Sequence, residues 1–250
     1  MAFHVIIPAR LHSTRLPGKV LLPIAGKPML QHVYERALSS GAVSVVIATD
    51  DVHVAEVAHA FGATVCMTNP AHPNGTARIE EAIRLLGWSD DTVVVGVQAD
   101  EPMMPPSLIQ QVAHNVLAHP QASMTTLSIP IDHREDLHNP NVVKVVTDKA
   151  GYALYFSRAP IPWNRDQQGV PTVVESYARH VGLYSYRAGF LKHYITWPPA
   201  PIGIIESLEQ LRVLWNGHRI HVARANASPG IGVDTRDDWQ QVCEWLRTNT

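Results

Sequence analysis

A chain of 250 residues, 46% hydrophobic and 17% charged, carries enough apolar side chains for one sizeable core and is too apolar for a disordered segment. Its formal net charge of −2 offers nucleic acid no overall attraction, so a basic cluster has to be read as a local site. Two cysteines without metal-ligand spacing, no apolar run of membrane-spanning length and no signal-peptide pattern at the start speak against a disulfide scaffold and against membrane insertion, and point to the cytoplasm.

The first element, "FHVIIPA", is short and β-branched and predicts a buried strand ended by Pro8. It runs into a loop holding Arg10, Arg15 and Lys19. "PMLQHVYERALSSG" predicts a helix from Pro28, with Met29, Leu30, Val33, Ala37 and Leu38 at helical spacing and Gly41 as its stop. "VSVVIATDD" reads as a strand ending at Asp50 and Asp51, "HVAEVAHAFG" as a helix, "ATVCMT" as a strand and "GTARIEEAIRLLG" as a helix. "DTVVVGVQADEP", the strongest strand, ends at Asp100 and Glu101, and "PPSLIQQVAHNVLAHP" returns as a helix. The alternation predicts an α/β fold with a mainly parallel sheet and helices on both faces. Ligands of such sheets bind beyond the carboxyl ends of the strands, which puts the cationic loop and both acidic ends on one rim.

The second half predicts antiparallel strands at "NVVKVVTD", "YALYFS" and "RHVGLYSYR", with a Pro/Gly/Gln-rich loop, "APIPWNRDQQGVPT", before the last. "SLEQLRVLWNG" reads as one helix, "HRIHVAR" as a strand and "TRDDWQQVCEWLR" as a closing helix capped by Thr235. One domain over 1–250 is expected, with about 1–130 and 205–250 as its core and about 131–204 as an inserted lobe that covers the site or pairs with another subunit.

Two guanidiniums and an ammonium on a loop after a strand suit a polyphosphate, with Ser13, Thr14 and backbone N–H groups as further donors. A merely solvated basic loop is the competing reading. Asp100 at a strand end suits Mg²⁺ bridging phosphate oxygens, or equally a carboxylate at the following helix N-terminus. Asp234, in "GIGVDT", is either a second acid on that metal or part of a turn and cap. Arg158 closes a strand, where it binds a carboxylate or is simply solvated, and "HRIH" reads as strand surface rather than a metal site.

Taken in order, "IPAR…STRLPGK", "HPNGTAR", "VQADEP", "NPNVVKVV", "YALYFSRAPIPW", "RHVGLYSYR", "ESLEQLRVLW" and "GIGVDT" span nearly the whole chain and resemble the 3-deoxy-manno-octulosonate (Kdo) cytidylyltransferases. "YFSRAPIPW" and "LEQLR" are the more specific of these; the first and third are shared with wider sugar-nucleotide transferases. The resemblance implies the Rossmann-like nucleotide-diphospho-sugar transferase fold, a homodimer, and a reaction in which CTP and Kdo give CMP-Kdo and pyrophosphate for lipopolysaccharide synthesis with Mg²⁺. By motif it implies that Pro8, Ala9, Arg10, Ser13, Arg15, Lys19, Arg78 and Asp100 meet the nucleotide. It makes Asp100 and Asp234 the metal ligands, with Arg10 and Lys19 acting beside them in catalysis. Gln98, Arg158, His180, Tyr184, Glu209 and Gln210 fall in segments resembling the sugar-acid pocket. Ala77, Ala99, Gly203 and Ile204 depart from the pattern, at positions where an acid, a glycine, an acid and a polar or basic residue are usual. Alternatives are an enzyme for the 8-amino sugar and a non-catalytic nucleotide-binding relative.

Overall fold

The β-branched runs of the first half become central strands because both of their faces find apolar cover. The computed structural model describes residues 2–13, 15–166 and 177–249. In it, β1 (His4–Ala9), a small hairpin β2 (Pro23–Ile24) and β3 (Lys27–Pro28), α1 (Met29–Leu38), β4 (Ser44–Thr49), α2 (Val52–Ala60), β5 (Thr64–Met67), α3 (Gly75–Leu85), β6 (Val93–Gly96) and α4 (Pro106–Ala118) follow in the expected alternation. After them come β7 (Met124–Pro130), α5 (Arg134–His138), β8 (Lys144–Thr147), β9 (Ala153–Ser157), β10 (Ala178–Arg187), α6 (Ala188–Tyr194), α7 (Pro201–Glu206), α8 (Leu211–Trp215), β11 (Ile220–Arg224) and α9 (Arg236–Asn249).

The main sheet has the order β11-β7-β10-β6-β1-β4-β5. Its pairs β1·β4, β1·β6, β4·β5 and β7·β11 are parallel, and β10 alone runs antiparallel between β6 and β7. Alternate residues serve opposite faces. Val5, Ile7, Val45, Ile47 and Val95 pack with Leu30 and Val33 of α1 and with Leu108 and Val112 of α4. Ile6, Val46 and Val94 pack with Ile79 and Ile83 of α3, Leu191 of α6 and Val213 of α8. Each such fully buried side chain contributes roughly 1.5–3 kcal/mol by its removal from water, which outweighs any local preference of a single residue.

β8 and β9 form the antiparallel extension, and β8 pairs with the first residues of β10. β10 therefore belongs to both regions: its beginning joins the extension, and its end, from Tyr184 to Arg187, lies beside β6 in the main sheet.

One expectation is corrected, and one strand had not been read. The segment "SLEQLRVLWNG" is not one helix: α7 ends at Glu206, Ser207 turns left-handed (φ 51°, ψ 48°), and α8 starts only at Leu211. β7 was not legible because its threonines read as polar. Thr125 Oγ1 donates to Val112 O (2.9 Å), and the one Thr126 hydroxyl proton is shared between Val181 O and Leu183 O (both 2.9 Å from Oγ1), so both hydroxyls are satisfied inside the core. Part of the loop read at 159–172, namely 167–172, lies outside the described residues. Among the described residues no helix is long and apolar enough to cross a membrane.

Candidate active site

β1 and β6 deliver their following loops to the same rim. After β1, Gly18 takes φ 67° and opens a single 3-10 turn, Lys19–Leu21, which turns the Lys19 side chain inward. Lys19 Nζ donates to Asp100 Oδ2 (2.7 Å), to Asp234 Oδ1 (3.0 Å) and to Val233 O (3.0 Å). Arg15 Nη2 donates to the same Asp234 Oδ1 (2.8 Å). Asp234 comes from the far end of the chain, on a turn held by Val233 N–H donating to Asp100 O (2.8 Å).

That turn needs its glycines. A Cβ on Gly230 (φ 78°) would stand 2.7 Å from Met103 Cβ, and one on Gly232 would stand 3.0 Å from Glu101 Oε1. Capping falls to a reciprocal pair: Thr235 Oγ1 accepts from Asp238 N–H (3.2 Å), and Asp238 Oδ2 accepts from Thr235 N–H (2.8 Å). The turn-and-cap reading of "GIGVDT" thus holds, and because Asp238 completes the cap, the Asp234 carboxylate is left to line the cleft beside Lys19.

Burial disfavours the Lys19 ammonium, but Asp100 and then Asp234 overcome this and hold its pKa above the ordinary value. Glu101 goes the other way. Desolvation first, then the Asp100 and Asp234 charges, push its carboxyl up to about 8. Around these groups lies a cleft of about 310 Å³ lined by Pro8, Arg10, Ser13, Arg15, Lys19, Gln98, Asp100 and Asp234. Among the described residues no three His, Cys, Asp or Glu side chains converge as a metal site. Two carboxylates aimed at one cationic nitrogen are a donor set that suits Mg²⁺, which takes one or two protein carboxylates and completes its shell with phosphate oxygens and water.

A second, smaller cavity of about 40 Å³ adjoins the cleft at Gln98, which lines both. Its walls include Thr76, Tyr184, Tyr194, Glu209 and Gln210. α3 begins beside the junction: a Cβ on Gly75 would stand 3.2 Å from Pro8 Cγ and 3.7 Å from Gln98 Oε1. Asn74 caps that helix by accepting from Ala77 N–H (2.9 Å), which shows that Ala77 does not prevent an ordered helix start. Glu209 Oε2 accepts from Thr76 Oγ1 (3.3 Å). Burial raises the Glu209 pKa although Thr76, Arg10 and Arg212 oppose it; its outer surface opens to solvent while protein crowds the rest. Desolvation also raises Tyr184 well above the ordinary phenol value and Tyr194 to about 12, so both remain neutral donors near pH 7. Gln210 is 6% exposed, and its Nε2 finds no partner among the described residues, which leaves a donor beside the cavity.

The structure thus brings Pro8, Arg10, Ser13, Arg15, Lys19, Gln98, Asp100 and Asp234 to one cleft, and Gln98, Tyr184, Glu209 and Gln210 to the next. Ala9 is fully buried at the end of β1 and lines neither, and Thr14 lies outside the described residues. Three others stand back. Arg78 is fully buried, donates to Thr68 Oγ1 and pairs with Asp50 Oδ1 (3.1 Å). His180 sits one layer behind the cavity, against the rings of Phe156 and Tyr184, and burial lowers its pKa to about 3, so it is neutral. Arg158 donates to three backbone carbonyls, those of Pro140, Glu206 and Ser207. Ala99 is buried without a positive φ, so its methyl group fits beside Asp100. Sequence reasoning missed Thr76 and Tyr194. Thr76 lies within a motif already singled out, whereas Tyr194 lies on α6, which was not predicted.

The cytidylyltransferase family model matches residues 4–220. The chain is 55% identical to the 3-deoxy-manno-octulosonate cytidylyltransferase of Idiomarina loihiensis, covering 96% of this chain and 97% of that one. It is also 55% identical to the enzyme of the same name from Vibrio vulnificus, covering 98% of each. A solved structure of CMP:2-keto-3-deoxy-manno-octonic acid synthetase complexed with CTP superposes with a TM-score of 0.91 at 38% identity, over 100% of this chain and 99% of that one.

Proposed function

The chain belongs to the cytidylyltransferase family, and from that premise we propose that it joins the cytidylyl group of CTP to Kdo, giving CMP-Kdo and pyrophosphate for lipopolysaccharide synthesis. The observation that carries this reading is the adjacency of the two cavities at Gln98, one cationic and acidic, the other lined by neutral hydroxyls, an amide and Glu209. Arg10, Arg15 and Lys19 neutralise the triphosphate in the first. Asp100 and Asp234 would hold Mg²⁺, which would neutralise phosphate charge and lower the pKa of a hydroxyl near it. Gln98 and the second cavity orient the sugar acid so that its anomeric oxygen faces the α-phosphorus. That oxygen forms the new bond to phosphorus, the bond to the β-phosphate oxygen breaks, pyrophosphate leaves in line, and the hydroxyl proton passes to solvent. Positioning and charge neutralisation supply most of what such a transfer requires.

The test is pyrophosphate release by the purified protein with CTP and Mg²⁺, with Kdo and 8-amino-Kdo in separate reactions. Release with Kdo is expected. Release only with the amino sugar would give the second cavity a different acceptor, and release with neither, despite bound CTP, would make the protein a nucleotide binder.

We also propose that the protein acts as a homodimer through the lobe at about 131–204, where Leu154 and Trp163 are each 62% exposed. A monomer in light scattering at micromolar concentration would overturn this. Two free cysteines, Cys66 and Cys243, are in keeping with a cytoplasmic location.

A further inference from the structure

Glu206 is the last residue of α7, and it is held from both of its ends. Its carboxylate accepts from Ser157 Oγ (2.6 Å) and from the Arg158 backbone N–H (2.9 Å). Its own carbonyl accepts from Arg158 Nε (2.6 Å). The same guanidinium reaches Pro140 O from Nη1 (2.7 Å) and Ser207 O from Nη2 (3.3 Å). Lys144 sits within this corner. Fully buried, it donates from Nζ to the carbonyls of Asn139 (3.0 Å), Val142 (2.6 Å) and Arg158 (2.6 Å). The end of β9, the turn before β8 and the end of α7 therefore share one set of charge-assisted bonds, roughly twice as strong as neutral ones.

The turn after Glu206 is the reason such a clasp is needed. Ser207 takes the left-handed conformation, which an L side chain adopts only where its neighbours over-determine it. Leu208 N–H closes the turn on Gly203 O (3.0 Å), and the next two residues, Glu209 and Gln210, are walls of the second cavity. A glycine at 203 suits this turn, since a Cβ there would stand 3.1 Å from Leu208 O. The nucleotide cleft is fastened elsewhere, by Lys19 and by the Val233–Asp100 bond.

We propose that Glu206, clasped by Ser157 and Arg158, is the positioning residue that aims the 207–210 turn, and with it Glu209 and Gln210, at the acceptor. It governs capture of the sugar acid and leaves nucleotide binding alone. This rests on the reading that the second cavity receives Kdo. Arg158, on the same grounds, acts through the backbone of the turn.

Steady-state kinetics of the full chain test it. Glu206→Gln keeps one acceptor oxygen but turns an amide N–H₂ toward a donor. A displacement of about 1 Å at a positioned group costs on the order of 10²-fold, so KM for Kdo should rise about 10- to 100-fold. KM for CTP should stay within about twofold, since no bond of the clasp touches that cleft. Ser157→Ala removes a single hydroxyl, leaves the Arg158 bonds in place and should move KM for Kdo in the same direction by less. It carries the test if Glu206→Gln does not fold. Unchanged KM for Kdo in Ser157→Ala and in folded Glu206→Gln, or equal rises for both substrates, would overturn the proposal. Wild-type protein that binds CTP but releases no pyrophosphate with Kdo would instead overturn the acceptor reading, and this proposal with it, before any variant is made.

Discussion

Asp100→Asn should lower turnover by about three orders of magnitude while leaving the protein folded, because in the proposed reaction the carboxylate would serve charge at the reacting centre more than it serves the core. The substitution preserves shape and an acceptor oxygen for Lys19, and Lys19 Nζ keeps Asp234 Oδ1 and Val233 O, each at 3.0 Å. It also removes one of the charges that push the Glu101 carboxyl up to about 8, after desolvation the largest of them. The stability lost at Lys19 is thus partly offset next door. For the reaction there is no such offset. Among the described residues two carboxylates converge on Lys19 Nζ, so losing one would leave the developing charge on the phosphates with a weakened partner in the proposed reaction. CTP should still bind through Arg10, Arg15 and Lys19. Single-turnover pyrophosphate release, read beside a thermal melt and CTP titration, separates these effects. Turnover within tenfold of wild type in a folded variant would overturn the proposed role of Asp100 in holding Mg²⁺.

How far such a site was legible beforehand depends on which residues carry it. β1, β4 and β6 were plain in the sequence, since strands buried on both faces leave nearly continuous apolar runs. Their carboxyl ends then placed Arg10, Lys19 and Asp100 on one rim from chain direction alone. The pairing itself was not readable, because Lys19 meets residues 81 and 215 positions away and no local spacing encodes such a contact. Charged side chains were the commonest source of misplacement. Arg78 and Arg158 display a charge in the sequence, but its partner there is Asp50 in one case and three backbone carbonyls in the other. Ser207 hid the break between α7 and α8, because an L residue at φ 51° has no compositional signature of the kind glycine gives.

Lys19→Met should make the stability of the nucleotide-free protein depend on Mg²⁺ far more steeply than that of wild type. Lys19 is only 12% exposed and holds Asp100 and Asp234 together at 2.7 and 3.0 Å, with Arg15 reaching Asp234 from outside. Methionine matches the stem and removes the ammonium, leaving the two carboxylates facing one another beside a desolvated Glu101. Breaking a buried pair costs about 3–5 kcal/mol; with Asp234 about half exposed and screened, roughly 2 kcal/mol is the expected loss. Added Mg²⁺ should restore it, since an ion that binds only the folded form stabilises it in proportion to the logarithm of one plus its concentration over its dissociation constant. In wild type the same ion would have to compete with Lys19 for the carboxylates, so its binding should be weaker and the melting temperature should move less. Turnover should fall about 10²- to 10³-fold even at saturating Mg²⁺, because the triphosphate has lost its inner cation. Thermal melts of both proteins across a Mg²⁺ titration, without nucleotide, decide the matter. Equal shifts would mean that Lys19 and the metal do not share one place. No shift in either would mean that Asp100 and Asp234 take up the ion only with CTP already bound, its phosphate oxygens being then an obligatory part of the site.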